Sequence, residues 1–230
     1  MDETRAAPAV RAGAPRQRPP WLVSGGLLLI LAFLTAGVLA GGPLTGADRR
    51  IRAAVAAPAD SAAWRWVGHG WHSPAQLLVD LGAYQVAVPV LALSAVVAAL
   101  WHRSARPLLA AVTGAALLMA TVIPAKILIH RAGPGLPPVA PGHMGVFPSG
   151  HTTTSGVCLA LAVLLLAPGL PPRTRRAAVG GMVAVCFLVG AALVWCDYHW
   201  FTDVAAGWAL TALIVMAALR LAGLRRKDPT

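Results

Sequence analysis

The segment Phe147-Pro148-Ser149-Gly150-His151 runs straight into TTTSGVCLALAVLLLA, residues 152–167. A proline stops any preceding helix, a serine stands ready to cap the next one, and an apolar run of nearly bilayer-crossing length follows. The stretch therefore reads as a polar turn at a membrane surface that feeds a membrane helix.

Similar apolar runs lie on both sides of it, at 21–40, 85–101, 107–129, 177–195 and 204–221. With 152–167 they predict six spans, an all-α integral-membrane bundle over residues 21–223. The run at 21–40 is longer than the h-region of roughly 7 to 15 residues in a cleaved signal peptide, so it is expected to stay as a helix. Residues 1–20 and 224–230 are basic, without an apolar period, and are expected to be cytoplasmic tails, the first of them disordered. Between the first two spans, 48–57 and 61–81 are expected to form short amphipathic helices, with Trp64, Trp66 and Trp71 at headgroup level.

The composition agrees. Of 230 residues 57% are hydrophobic and only 12% charged, which excludes an ordinary soluble domain. The net charge of +11 would suit nucleic acid, but the arginines sit between apolar runs, where they set orientation instead; no nucleic-acid partner is expected. Arg5, Arg11, Arg16 and Arg18, then Arg103 and Arg106, then Arg173, Arg175 and Arg176, then Arg220, Arg225, Arg226 and Lys227 fall on one side of the membrane. They outnumber Arg49, Arg50, Arg52, Arg65, Lys126 and Arg131 on the other. The positive-inside rule then puts both termini in the cytoplasm of a plasma-membrane protein. It also carries the end of the third span, the Ser-Gly-His turn and the segment around His199 to the outer face. The cysteines Cys158, Cys186 and Cys196 form neither a metal spacing nor an even disulfide set. No metal and no cofactor is expected.

Three polar clusters thus converge on one end of the bundle. At the Ser149-Gly150-His151 turn, the free N–H groups of a helix start and the helix dipole make an anion site, and His151 is a proton donor within reach. His199 and Asp203, four apart, are expected to share a helix face, where the carboxylate fixes the imidazole and leaves its other nitrogen to attack. Lys126, inside the third apolar run, and Arg131 just beyond it supply positive charge for a phosphoryl group. The plainer readings are a capped helix start, an interfacial ion pair and snorkelling basic side chains. Asp197, His130, His143, His69 and His72 read as loop or interfacial residues.

Together these residues resemble the type 2 phosphatidic acid phosphatase superfamily of membrane lipid phosphatases. The family's Lys-x6-Arg-Pro appears as Lys126 to Gly133-Pro134, its Pro-Ser-Gly-His as Pro148 to His151, and its Ser-Arg-x5-His-x3-Asp as Ala192-Leu193 to His199 and Asp203. The resemblance implies His199 as nucleophile forming a phosphohistidine, Asp203 orienting it and His151 protonating the leaving group. It implies that Lys126, Ser149 and the Gly150 N–H bind the phosphate. Gly133, Leu193 and Ala192 stand where the family has arginine, arginine and serine, and Arg131 is the candidate to replace the first arginine. The implied activity is metal-independent hydrolysis of a phospholipid phosphate or polyprenyl (di)phosphate. The alternatives are a weak or inactive member that binds a phosphorylated lipid, and a transporter using Lys126, His199 and Asp203 as a relay. Partners are the lipid phosphate substrate and membrane lipids.

Overall fold

The computed structural model describes residues 20–56 and 73–224, and all of its regular structure is helical. In chain order these are α1 (Pro20–Ala40), α2 (Pro43–Ala56), α3 (Pro74–Leu81), α4 (Tyr84–Trp101), α5 (Arg106–Ile129), α6 (Gly150–Leu166), α7 (Pro172–Trp195) and α8 (Phe201–Leu221). A single 3-10 turn, Ala167–Gly169, follows α6. Helices α1 and α4 to α8 are each long and apolar enough to cross a bilayer, giving a multi-pass membrane protein. The basic tails, most of the predicted 61–81 helix and the interfacial tryptophans Trp64, Trp66 and Trp71 lie outside the described residues.

Helix α6 is the hub. It packs against α4, α5, α7 and α8, and its first two turns bury Thr152, Thr153, Ser155, Gly156 and Val157. Lipid tails are as apolar as leucine, so what holds such helices together is close packing, and close packing needs small residues. Gly156 meets α8 at Thr211 so tightly that a Cβ on it would fall 2.5 Å from Thr211 Oγ1. The main core runs between α4, α5, α6 and α8 through Ala87, Leu91, Leu118, Val157, Leu161 and Ile214. Outward-facing positions such as Leu29, Leu93, Val112 and Leu128 stay exposed, as a surface solvated by lipid requires.

Helix α1 is apolar on all sides and is hardly covered by protein. It rests on α8 and α2, with Leu34 in a small cluster with Phe147 and Ala206. Short turns join α4 to α5 and α6 to α7 at one end of the bundle. The other end collects α2, α3, the 130–149 loop and the 196–200 connection. This is the end at which the sequence placed its polar clusters.

Two local details differ from the sequence reading. Helix α2 starts at Pro43, five residues before the expected Asp48. His199 is not on a helix, because α8 begins at Phe201 with Trp200 as its N-cap. The carboxylate of Asp203 turns back to accept from the Trp200 N–H at 3.1 Å, which fixes the helix start there.

Candidate active site

The start of α6 is built by Ser149. Its backbone is extended, and its Oγ accepts from the Thr152 N–H at 3.3 Å and from Thr152 Oγ1 at 2.9 Å. Thr153 Oγ1 in turn donates to the Ser149 carbonyl at 2.7 Å. Ser149 is fully buried, and with its lone pairs occupied its own O–H is what it has left to give. The backbone N–H groups of Gly150 and His151 have no hydrogen-bond acceptor among the described residues. A helix start with free N–H groups and the positive end of the dipole is a site for an anion.

Lys126 reaches this turn from the last part of α5. Its Nζ donates to the carbonyls of Gly145 at 3.1 Å and Val146 at 3.3 Å. Its stem passes so near Gly150 that a Cβ there would lie 3.5 Å from Lys126 Cε. The ammonium is therefore directed inward at the 145–150 segment instead of outward to headgroups. His151, the next residue, is exposed at the start of α6.

The 196–200 connection presents His199. The amides of Tyr198 and His199 both donate to the Leu193 carbonyl, at 3.0 and 3.2 Å, closing a tight turn after α7. Asp197 takes a positive φ of 59° within it. His199 Nδ1 lies 3.3 Å from Asp203 Oδ2, and the pair is buried. With Nδ1–H donated to the carboxylate, Nε2 carries a lone pair, the state a nucleophilic imidazole needs. The Asp203 carbonyl also accepts from the Ser149 N–H at 3.0 Å. The Ser-Gly-His turn and the His199–Asp203 segment are thereby locked to each other through main chain.

Arg131 comes to the same place, but its guanidinium is already engaged. Nη1 donates to Thr202 Oγ1 at 2.6 Å and to Asp203 Oδ1, and Nη2 donates to Asp48 Oδ2 at 2.6 Å. Asp48, on α2, is fully buried. Its Oδ1 accepts from the Thr202 N–H at 3.0 Å, and its Oδ2 accepts from Thr202 Oγ1 at 2.6 Å. Asp203 thus faces Arg131 with one oxygen and His199 with the other. The sequence reading missed Asp48 and Thr202. One signal was available: a lone acid beside three basic residues on an amphipathic helix, at the end where the other polar clusters gather.

The indole of Trp200 organises the rim. Its Nε1 donates to the Ala132 carbonyl at 2.9 Å, and the guanidiniums of Arg131 and Arg52 lie 5.4 and 5.9 Å from its ring centre. Arg52 also makes a two-pronged pair with Asp197, at 2.7 and 2.6 Å. That hydrogen-bonded pair holds the Arg52 guanidinium above its ordinary pKa. Asp197 is thus tied to α2 as well as being a loop residue.

The two positions where family arginines fall are unlike each other. Leu193 is buried in an apolar cluster with Ala75, Val79, Val189, Ala192 and Val204. Gly133 is also buried; the atoms nearest a Cβ there are those of the Leu136 and Val146 side chains, with Leu136 Cδ1 at 3.0 Å. The side chains of His130 and His143 are exposed in the 130–149 loop. His69 and His72 lie outside the described residues. Among the described residues no three or more His, Cys, Asp or Glu side chains group to hold a metal.

A bundle of this design, with this turn at its polar end, is that of the transmembrane members of one family. The chain belongs to the PAP2 superfamily, whose model matches residues 88–227. Its fold is similar to the crystal structure of a transmembrane PAP2-type phosphatidylglycerolphosphate phosphatase from Bacillus subtilis. The TM-score is 0.73 at 19% identity, over 89% of this chain and 98% of that one. No curated protein matches the chain in sequence. Asp48 and Arg52 precede the residues that the family model matches.

Proposed function

We propose that this protein is an integral-membrane phosphatase that hydrolyses a lipid phosphate or a polyprenyl (di)phosphate through a phosphohistidine, without a metal. The observation that carries the reading is the contact of His199 Nδ1 with Asp203 Oδ2, beside a helix start whose Gly150 and His151 N–H groups have no acceptor among the described residues. The phosphatase activity of the Bacillus subtilis structural neighbour supports the same reaction class. The arginine distribution favours both termini in the cytoplasm of the plasma membrane and the site at the outer face.

In this mechanism the phosphoryl oxygens sit on the N–H groups of Gly150 and His151, with the Ser149 O–H and the Lys126 ammonium alongside. His199 Nε2 attacks phosphorus as the P–O bond to the leaving group breaks, and His151 gives the departing oxygen its proton. Water then attacks the phosphohistidine. His151 takes up the water's proton, phosphate leaves, and neutral His199 is restored. Asp203 keeps Nδ1–H in place and stabilises the positive charge that the imidazole acquires. Arg131 acts in this scheme by fixing Asp203, since both of its terminal nitrogens are engaged by Asp48, Thr202 and Asp203. Arg52, at the rim and free to exchange Asp197 for a ligand, is the cation placed to take a phosphate oxygen.

The test is phosphate release by the purified protein in detergent with EDTA present. Substrates are phosphatidic acid, phosphatidylglycerophosphate, and polyprenyl mono- and diphosphates, with His199→Ala as the control. Turnover that disappears in the variant supports the reading and identifies the lipid head. A second reading, a member that binds a phosphorylated lipid without cleaving it, is favoured by one feature, the apolar burial of Leu193 where the family has arginine. It prevails if the folded wild-type protein releases no more phosphate than His199→Ala.

A further inference from the structure

At the end of the bundle opposite His199 there is a cavity of about 1120 Å³. It lies between the α4–α5 turn, the last turn of α6, the first turns of α7 and the end of α8. Arg175, Arg176, His102 and Ser104 give it a polar mouth, and Leu165 and Gly180 are among its apolar walls. Its volume is above the roughly 300 to 1,000 Å³ of ordinary small-molecule sites.

Charge is divided sharply along the molecule. Every carboxylate among the described residues, Asp48, Asp80, Asp197 and Asp203, belongs to the other end. The cavity's end holds Arg103, Arg106, Arg173, Arg175, Arg176 and Arg220 and no described carboxylate. Neither Arg175 nor Arg176 has a side-chain hydrogen bond or ion pair among the described residues. Two guanidiniums without a partner among the described residues, over an apolar hollow at the depth where a membrane helix begins, complement an anionic head with hydrocarbon attached. A soluble anion would leave the leucine-lined walls without a partner, and an uncharged lipid would leave the arginines without one.

We propose that this cavity is a second lipid site, which holds an anionic phospholipid with its phosphodiester against Arg175 and Arg176 and its acyl chains along α6 and α8. It is separated from the hydrolytic site by the length of the bundle and is independent of hydrolysis there. Gly180 supplies a clean way to close it. A Cβ on Gly180 would meet nothing within 4 Å, so leucine there enters the hollow without displacing backbone and is the better helix former.

The experiment is native mass spectrometry of the delipidated full-length protein in a non-ionic detergent. It is titrated with phosphatidylglycerol, with phosphatidylcholine of the same chains, and with glycerophosphoglycerol, which has the head without the chains. The expected result is phosphatidylglycerol binding about tenfold or more tighter than phosphatidylcholine, with the chainless head binding far more weakly than the lipid. The double variant Arg175→Gln, Arg176→Gln removes the preference, and Gly180→Leu weakens both lipids. Equal affinity for the two lipids overturns the proposal, as does phosphatidylglycerol binding that persists in both variants. A chainless head that binds as tightly as the lipid assigns the site to a soluble phosphate. Monodispersity on size exclusion identifies a misfolded variant, and the charge and cavity changes are separate, so either one alone decides.

Discussion

Asp48 and Arg131, 83 residues apart in the chain, meet as a buried ion pair with Oδ2 2.6 Å from Nη2. The pair joins α2 to the loop after α5, and through Thr202 and Asp203 it extends to α8. A carboxylate and a guanidinium out of water are tolerable only when each keeps its partners, and here Asp48 is matched by Arg131 and by both the amide and the hydroxyl of Thr202.

Asp48→Ala removes one member and leaves the other charges in place. Loss of one partner of a buried pair costs about 3 to 5 kcal/mol. Thermal unfolding in detergent should show a lower midpoint for Asp48→Ala, and activity should fall with it because Arg131 no longer holds Asp203 in register. An unchanged midpoint would mean that water replaces the carboxylate and that the pair is not buried in the membrane-embedded protein.

His151→Ala separates proton donation from phosphate binding. Removal of a general acid lowers the rate by about 10² to 10⁴ for a lipid alcohol, which needs a proton to depart. For p-nitrophenyl phosphate, whose leaving group departs as the anion, the loss should be much smaller. Measuring kcat for both substrates checks this, and an equal loss for both would assign His151 to binding alone.

Leu193→Arg restores the residue type that the family has at this position, but it should not restore function. The side chain would enter the apolar cluster of Val79, Val189 and Val204, where an unpaired charge costs several kcal/mol. Lower expression and a lower unfolding midpoint are expected, with no gain in kcat/KM. A folded and faster Leu193→Arg would show that the turn after α7 can open to let the guanidinium reach phosphate.

Arg52→Gln should split stability from activity. Its pair with Asp197 is half exposed, and such pairs contribute at most about 1 kcal/mol, so the midpoint should barely move. If Arg52 takes a phosphate oxygen, losing a charge-assisted contact of about 1.5 to 3 kcal/mol lowers kcat/KM by roughly ten- to a hundredfold. Steady-state kinetics on the lipid identified for the wild type decides, and unchanged kinetics confines Arg52 to tethering Asp197.

The spans were legible because each apolar run is long and uninterrupted, and the turn at Ser149 because proline, serine and glycine fix local backbone on their own. The end at which the clusters gather followed from the alternation of spans. What could not be read were partnerships over long separations. Asp48 entered only as the start of an expected amphipathic helix, since nothing in its neighbours names Thr202. Arg131 looked free because the two carboxylates that engage it come from α2 and α8. His199 was expected on the helix because the i,i+4 spacing is the same whether the first residue is helical or, as here, just ahead of the N-cap.

The separation of Asp48 from Thr202, 154 residues along the chain, also sets a schedule for biogenesis. At a synthesis rate of roughly 5 to 20 residues per second, Thr202 is made about 8 to 30 seconds after Asp48. Until then Asp48 has only Arg131 to pair with, and the Ser149 turn is without Asp203. A polypeptide stalled or truncated before the last span therefore lacks Thr202 and Asp203, and the last helix to be made is the one that would complete the proposed site.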